Sequence, residues 1–239
     1  YINNKCIVFR EWQEYLNFIS RLSFTLNLGK DCKLVCYVHN LPYEFQFMRT
    51  FMDVQNLFAV DKRKVVKFCA NGIEYRCSYK LTNMSLEKLC ESTPGVVHFK
   101  KDGEDFNYDK VRTPKTPLSK KEWRYIYNDV AGLYESLSIT MEKDGHNLST
   151  IPTTSTGYVR RELRAEMKSN PANHDIFFNT RLDTTEYALL RNGRRGGNTH
   201  CNPLWANQLL RNLISKDMSS AYPAVMVQCK FPYTIKKSR

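Results

Sequence analysis

The chain has 239 residues, 42% hydrophobic and 25% charged, a globular balance that excludes a disordered or low-complexity protein. Lys and Arg number 36 against 24 Asp and Glu, a net charge of +12. That excess favours a polyanionic partner, because each neutralised phosphate releases a condensed counterion. No apolar run approaches the ~20 residues that span a bilayer, and no signal peptide is evident, so a soluble intracellular chain is expected.

Trp12, Leu16, Ile19 and Leu22 recur at helical intervals, so a helix is expected over Phe9–Leu28, stopped by Gly29. Lys33–His39 is short, apolar and β-rich, the pattern of a strand buried on both faces. Eight cysteines include no Cys-x-x-Cys pair. Cys32 and Cys36 fall on one face of that strand and read as small hydrophobes, so a zinc site with His39 is set aside. Unpaired cysteines suit a reducing compartment. Pro42 can open a helix that Phe45, Met48, Arg49 and Met52 continue. Two strand-like runs flank Asn71-Gly72, a hairpin signal. Ser85 is placed to cap a short helix to Cys90.

Lys100–Pro117 is polar and loop-like. Ser119 and Glu122 form a capping-box pattern ahead of a helix through Tyr125, Asp129 and Leu133 to about Met141. A Ser/Thr-rich loop, helices over Gly157–Lys168 and Asp183–Leu190, and a break at Arg191–Gly197 follow. A last strand is expected over Leu210–Lys216, leading into Asp217 and a helix with Ala221, Val225 and Met226. Strand, helix, hairpin and long helix define an α/β chain. It starts at Tyr1 and stops in Lys236-Lys237-Ser238-Arg239, and reads as cut at both ends.

Five segments carry chemistry. Asp217-Met-Ser-Ser-Ala-Tyr-Pro223 could hold Mg²⁺ at a strand end, expose backbone N–H groups to a triphosphate through its turn, and pack Tyr222 under a sugar. His39-Asn40-Leu41-Pro42-Tyr43-Glu44 places an acid at the start of a helix. Tyr125 and Asp129 stand i, i+4 on one helix face. Lys100 and Lys101 precede Asp102–Tyr108, and Gly193-Arg194-Arg195-Gly196-Gly197 lets a backbone approach a ligand closely. Each is weak alone; an isolated Tyr-x-x-x-Asp is usually an ordinary surface helix.

Together, and in this order, these segments resemble the protein-primed family B DNA polymerases of bacteriophages and linear plasmids. The resemblance covers nearly the whole chain. Asp217 to Pro223 is similar to the first palm motif, with Asp217 as a catalytic metal ligand and Ser220 and Tyr222 at the nucleotide. Asn40 to Glu44 resembles the second exonuclease motif, with Asn40, Leu41 and Tyr43 on single-stranded DNA and Glu44 where Asp is usual. Tyr125 and Asp129 resemble the third motif, Asp129 binding metal and Tyr125 orienting the attacking water. Lys101 matches a catalytic lysine. Arg194, Arg195, Gly196 and Gly197 match the Tyr-x-Gly-Gly element, Arg194 replacing the Tyr.

The resemblance implies an RNase H-like 3′–5′ exonuclease domain over 1–150, a helical connector over 151–197 and the start of a polymerase palm over 198–239. It implies a DNA-directed DNA polymerase with proofreading, two Mg²⁺ ions per active site held by Glu44, Asp129 and Asp217, and DNA, dNTPs and a terminal protein as partners in a bacterial cytoplasm. The first exonuclease motif, an Asp-x-Glu pair, is expected before residue 1, and the palm's second acid after Arg239. Asp102-Gly103-Glu104 lies in a loop in the wrong order and is not that pair. The fragment alone is therefore expected to be inactive. Two other readings stay open: a stand-alone exonuclease of the same fold, and a catalytically incomplete basic nucleic-acid-binding fragment.

Overall fold

The computed structural model describes residues 1–2, 5–98, 106–179, 181–193 and 202–230. The chain divides into two compact units, Tyr1–Glu162 and Leu163–Arg239.

The first unit is built on a four-stranded sheet. In chain order come α1 (Trp12–Thr25), β1 (Leu34–Val38), α2 (Leu41–Met48), β2 (Gln55–Ala59), β3 (Val65–Ala70) and β4 (Ile73–Cys77). Then come α3 (Ser78–Thr82), α4 (Leu86–Ser92), α5 (Lys120–Lys143) and α6, which starts at Ser155 and runs to Ser169. The sheet order is β1-β4-β3-β2, with β1 parallel to β4 and both other pairings antiparallel. Asn71 and Gly72 take positive φ of 50° and 74°, which lets the β3–β4 hairpin close in two residues.

Alternation along β3 and β4 sends Phe68, Ala70, Ile73, Tyr75 and Cys77 to one face, where Ile19 of α1 and Leu41, Phe45 and Met48 of α2 cover them. Phe68 and Tyr75 stack with centroids 4.8 Å apart, and Phe45 meets Phe68 edge-on at 5.1 Å. Burying a side chain such as Phe68 or Ile19 contributes about 1.5–3 kcal/mol, and this layer holds more buried residues than either of the unit's other two apolar clusters. Tyr75 donates or accepts a 2.8 Å hydrogen bond with Tyr15, which gives the buried hydroxyl a partner. On the opposite face Tyr37 packs against Leu81, Leu137 and Ile151. There the nearly buried Glu74 accepts from Arg76 at 2.6 Å and Lys67 at 3.3 Å.

The structure differs from several sequence expectations. β1 is an edge strand, half-buried along its length rather than enclosed on both faces. Cys32 precedes it and is exposed. β2 was not foreseen. The segment 210–216, expected as a strand, is irregular, with Leu213 and Ile214 exposed. A strand needs a hydrogen-bonded neighbour, and the described residues of the second unit contain none. That unit is helical, with the end of α6, α7 (Pro171–Asn179), α8 (Thr184–Gly193), a 3₁₀ turn at Pro203–Trp205 and α9 (Ala221–Gln228). Asp183 caps α8 by accepting from the N–H groups of Thr185 and Glu186. Among the described residues, no helix is long and apolar enough to cross a membrane.

Candidate active site

A cavity of about 1220 Å³ opens at the C-terminal ends of the parallel strands β1 and β4. The chain leaves β1 through His39 and turns sharply at Asn40, which sits in the left-handed region at φ 60° and starts α2. Asn tolerates that conformation better than most residues. Its side chain makes no capping hydrogen bond to α2, so its amide is not spent on the helix. One turn on, Glu44 and the exposed Tyr43 line the cavity. His39 is anchored beside them by a 3.1 Å hydrogen bond between Nδ1 and Ser78 Oγ.

The opposite wall comes from α5. Ser119 Oγ accepts from the N–H of Glu122, and Glu122 accepts from the N–H of Ser119, so the helix starts on a complete capping box. The 3.6-residue repeat then places Tyr125 and Asp129 on one face, and both line the cavity. Glu44, Tyr125 and Asp129, more than 80 positions apart at their extremes, thus border one space. Aromatic side chains supply much of the remaining wall, among them Phe9, Trp12, Tyr15 and Tyr79, with the guanidinium of Arg10 beside them.

Desolvation by the cavity walls pushes the Glu44 carboxyl above the usual carboxylate range, although water still reaches the side chain. Burial chiefly, then the Tyr108 hydrogen bond and the Asp129 charge, push the Tyr125 hydroxyl up. The pair Glu44 and Asp129 suits a hard cation such as Mg²⁺, which binds one or two carboxylates and keeps water and phosphate as its other ligands. Among the described residues no three His, Cys, Asp or Glu side chains converge to form an all-protein cage.

The sequence reading did not single out Tyr108 as a site residue. Its hydroxyl lies 3.0 Å from that of Tyr125, and it lines the same cavity. Phe106 packs on both rings, with centroids 5.1 Å from Tyr125 and 5.2 Å from Tyr108. Arg112 lies over Phe106 at 4.2 Å and donates to Glu122 Oε1 from Nε at 2.9 Å and from a terminal nitrogen at 2.6 Å. The first turn of α5 therefore holds the 106–112 segment over the site. The available signal was two aromatics in a polar loop with no core to fill. Ser85 and Glu11, also on the cavity wall, carried no such signal.

Leu41 does not share this position. Its side chain is 0% exposed in the core beneath α2, where an apolar residue in the first turn faces the sheet, so it offers the cavity no surface. Lys101, Arg194, Arg195, Gly196 and Gly197, and the set-aside pair Asp102 and Glu104, lie outside the described residues. In the second unit Asp217 is exposed in an irregular segment rather than at a strand end. Ser220, at φ 54°, starts α9 without a side-chain cap, and Tyr222 is 75% exposed.

A basic α/β chain with two carboxylates and a tyrosine bordering an aromatic-walled cavity has the makings of a phosphodiester-handling enzyme. The family model for DNA polymerase type B, organellar and viral, matches residues 30–239, and the chain belongs to that family of nucleotidyltransferases. No curated protein and no solved structure matches it.

Proposed function

We propose that the cavity between α2 and α5 receives the 3′ end of single-stranded DNA, and that this unit is the RNase H-like proofreading exonuclease of a protein-primed polymerase. One observation carries the reading: Glu44, Tyr125 and Asp129 border a single space together with Asn40 and Tyr43. In this reading Asn40 and Tyr43 hold the terminal nucleotides, Tyr43 by stacking. Tyr125 orients the attacking water through its hydroxyl. Mg²⁺ is the proposed cofactor, and Glu44 and Asp129 would hold it at the DNA phosphate. When bound it would make the water more acidic and offset charge on the phosphate.

Asp217, Ser220 and Tyr222 are assigned, on the same footing, to the nucleotide site of the palm. DNA, dNTPs and a terminal protein are the partners, and a bacterial cytoplasm is the setting. The family match extends through Asp217–Pro223, which favours a polymerase over a stand-alone exonuclease.

The test is binding of a single-stranded oligonucleotide carrying a fluorescent base at its 3′ end. Tyr43→Ala removes a stacking platform and should weaken binding about 5- to 150-fold, since base–aromatic stacking is worth about 1–3 kcal/mol. Asn40→Gly keeps the left-handed turn while deleting the amide, and should weaken binding by a smaller factor. If both variants bind the 3′ end as wild type does, the cavity is not the DNA site.

A further inference from the structure

A second concavity lies at the other end of the same sheet. Lys33 lies just before β1 and lines this concavity, whereas the cavity described above meets the same strand from Cys36 to its far end at His39, so about 10 Å of strand separates their nearest lining residues. It encloses about 400 Å³, and Lys30, Lys33, Gln55, Asn56, Asn71 and Gly72 line it. Three separate stretches of chain converge there: the 29–33 loop, the start of β2, and the β3–β4 turn.

The backbone fixes its shape. Gly29 N donates to Cys32 O at 2.7 Å, and Leu34 N donates to Gly72 O at 3.1 Å, tying the loop to the hairpin tip. Gly72 has φ +74°, and a Cβ there would stand 2.5 Å from Cβ of Leu28, so only glycine lets the two turns close against each other. Two lysines, one glutamine and two asparagines are among the lining residues, and no Asp or Glu is. The nearest acids in sequence, Asp31, Asp53 and Glu74, are not among the lining residues; Asp53 accepts from Gln55 Nε2 at 3.0 Å, and Glu74 is paired with Arg76 at 2.6 Å and Lys67 at 3.3 Å. Among the described residues neither Lys30 nor Lys33 is ion-paired.

Two lysines without an ion pair among the described residues, beside side-chain amides in a hollow that no Asp or Glu lines, suit an oxyanion. We infer that this hollow is a phosphate-binding site that engages the sugar–phosphate backbone of a nucleic-acid strand, apart from the cavity that takes the strand's end. The choice of strand rests on the nucleic-acid reading above; the phosphate chemistry does not.

The experiment uses the whole chain, isotope-labelled for amide spectra, and the exposed double variant Lys30→Gln/Lys33→Gln. With a single-stranded oligonucleotide, the plot of log affinity against log salt should flatten by about 1.4 in the double variant, since each lost phosphate contact removes about 0.7. Lys143→Gln, an exposed lysine elsewhere, should leave the slope unchanged. The oligonucleotide and inorganic phosphate should each shift the Gly29 and Gly72 amides, and the double variant should abolish both responses. An unchanged slope in the double variant, with the wild type binding DNA, overturns this site while leaving the cavity reading intact. Response to inorganic phosphate but not to the oligonucleotide overturns the strand assignment. Silence of both amides to both probes overturns the site outright, whether or not the chain binds DNA.

Discussion

The hydroxyl groups of Tyr108 and Tyr125 lie 3.0 Å apart, although 17 positions separate them in the chain. One tyrosine comes from an exposed loop and the other from a face of α5 that borders the cavity. Burial raises the Tyr125 hydroxyl most, and the Tyr108 hydrogen bond adds to it. Tyr108→Phe should therefore lower the Tyr125 ionisation pH while leaving it above the ordinary tyrosine value near 10. Tyrosine ring-carbon resonances of the isotope-labelled protein, assigned by Tyr→Phe substitution and followed against pH, read the Tyr125 phenol apart from the other tyrosines. A Tyr125 titration unmoved by Tyr108→Phe would mean that the two hydroxyls are not bonded in solution.

Acid should loosen the start of α5. Ser119's backbone N–H, then Arg112, hold the Glu122 carboxyl down to about 2, below the ~4.3 of an unfolded glutamate. A depressed carboxyl contributes stability that is present above the unfolded value and lost as pH falls through the folded one. The loss should fall between roughly pH 5 and pH 2. Thermal melts across that window should fall more steeply for wild type than for Glu122→Gln, which has no charge to lose. Parallel curves for the two proteins would refute the linkage.

Glu44 has the opposite sign. Its carboxyl is pushed up by desolvation, so the charged form is disfavoured in the fold. A group raised in this way contributes stability below its unfolded value and loses it as pH climbs through the folded one. Glu44→Gln should raise Tm slightly near neutral pH, by no more than about 2 °C because water reaches the group, and leave it unchanged near pH 3. A carboxylate kept at a cost to stability is what a working site requires. Glu44→Gln melting well below wild type at neutral pH would mark Glu44 as structural.

Local chemistry was legible in the sequence wherever neighbouring residues settle it. Ser119 and Glu122 announce the start of α5, Asn71-Gly72 announces the β3–β4 turn, and Ser85 caps α4, accepting from Lys88 N at 3.3 Å. β2 escaped notice because Gln55, Asn56 and Ala59 are poor strand formers, and pairing with β3 alone makes the segment a strand. Leu210–Lys216 misled in the other direction, since apolar residues cannot make a strand without a neighbour. The site was half legible. Spacing placed Tyr125 beside Asp129, but nothing local tells Arg112 to reach Glu122, or Phe106 to pack on Tyr125. Those are long-range choices, made by the fold.

α5 crosses the 96–98 segment at Gly132, where a Cβ would stand 2.5 Å from the carbonyl oxygen of His98. Glu135, one turn on, accepts from the N–H groups of Val97 at 2.9 Å and His98 at 3.0 Å, which pins the segment in place. Alanine at 132 would gain about 1 kcal/mol of helix propensity, but a backbone carbonyl cannot yield cheaply. Overpacking of this kind costs about 1–3 kcal/mol, so Gly132→Ala should be neutral at best and otherwise lower Tm by several degrees. Gly29→Ala, where nothing lies within 4 Å, is the control and should not destabilise. A Gly132→Ala protein more stable than wild type would show that the segment does not lie against the helix.

Asp217 and Tyr222 separate stability from chemistry. Asp217 is exposed and Tyr222 is 75% exposed, so Asp217→Ala and Tyr222→Val should each change stability by less than about 0.5 kcal/mol. Their proposed roles make different demands on a polymerase that contains this chain. A carboxylate that holds charge-stabilising metal in the transition state is worth about 10²–10³ in rate, so Asp217→Ala should cut primer extension by at least that factor. Digestion of single-stranded DNA should survive, because the site proposed for it, Glu44, Tyr125 and Asp129, is untouched. Tyr222→Val should keep most dNTP use while opening space at the sugar, so ribonucleotide incorporation should rise. Primer extension with dNTPs and with rNTPs, run beside digestion of a single strand, reads all three outcomes. Should Asp217→Ala extend primers normally and lose digestion instead, the two sites are assigned the wrong way round.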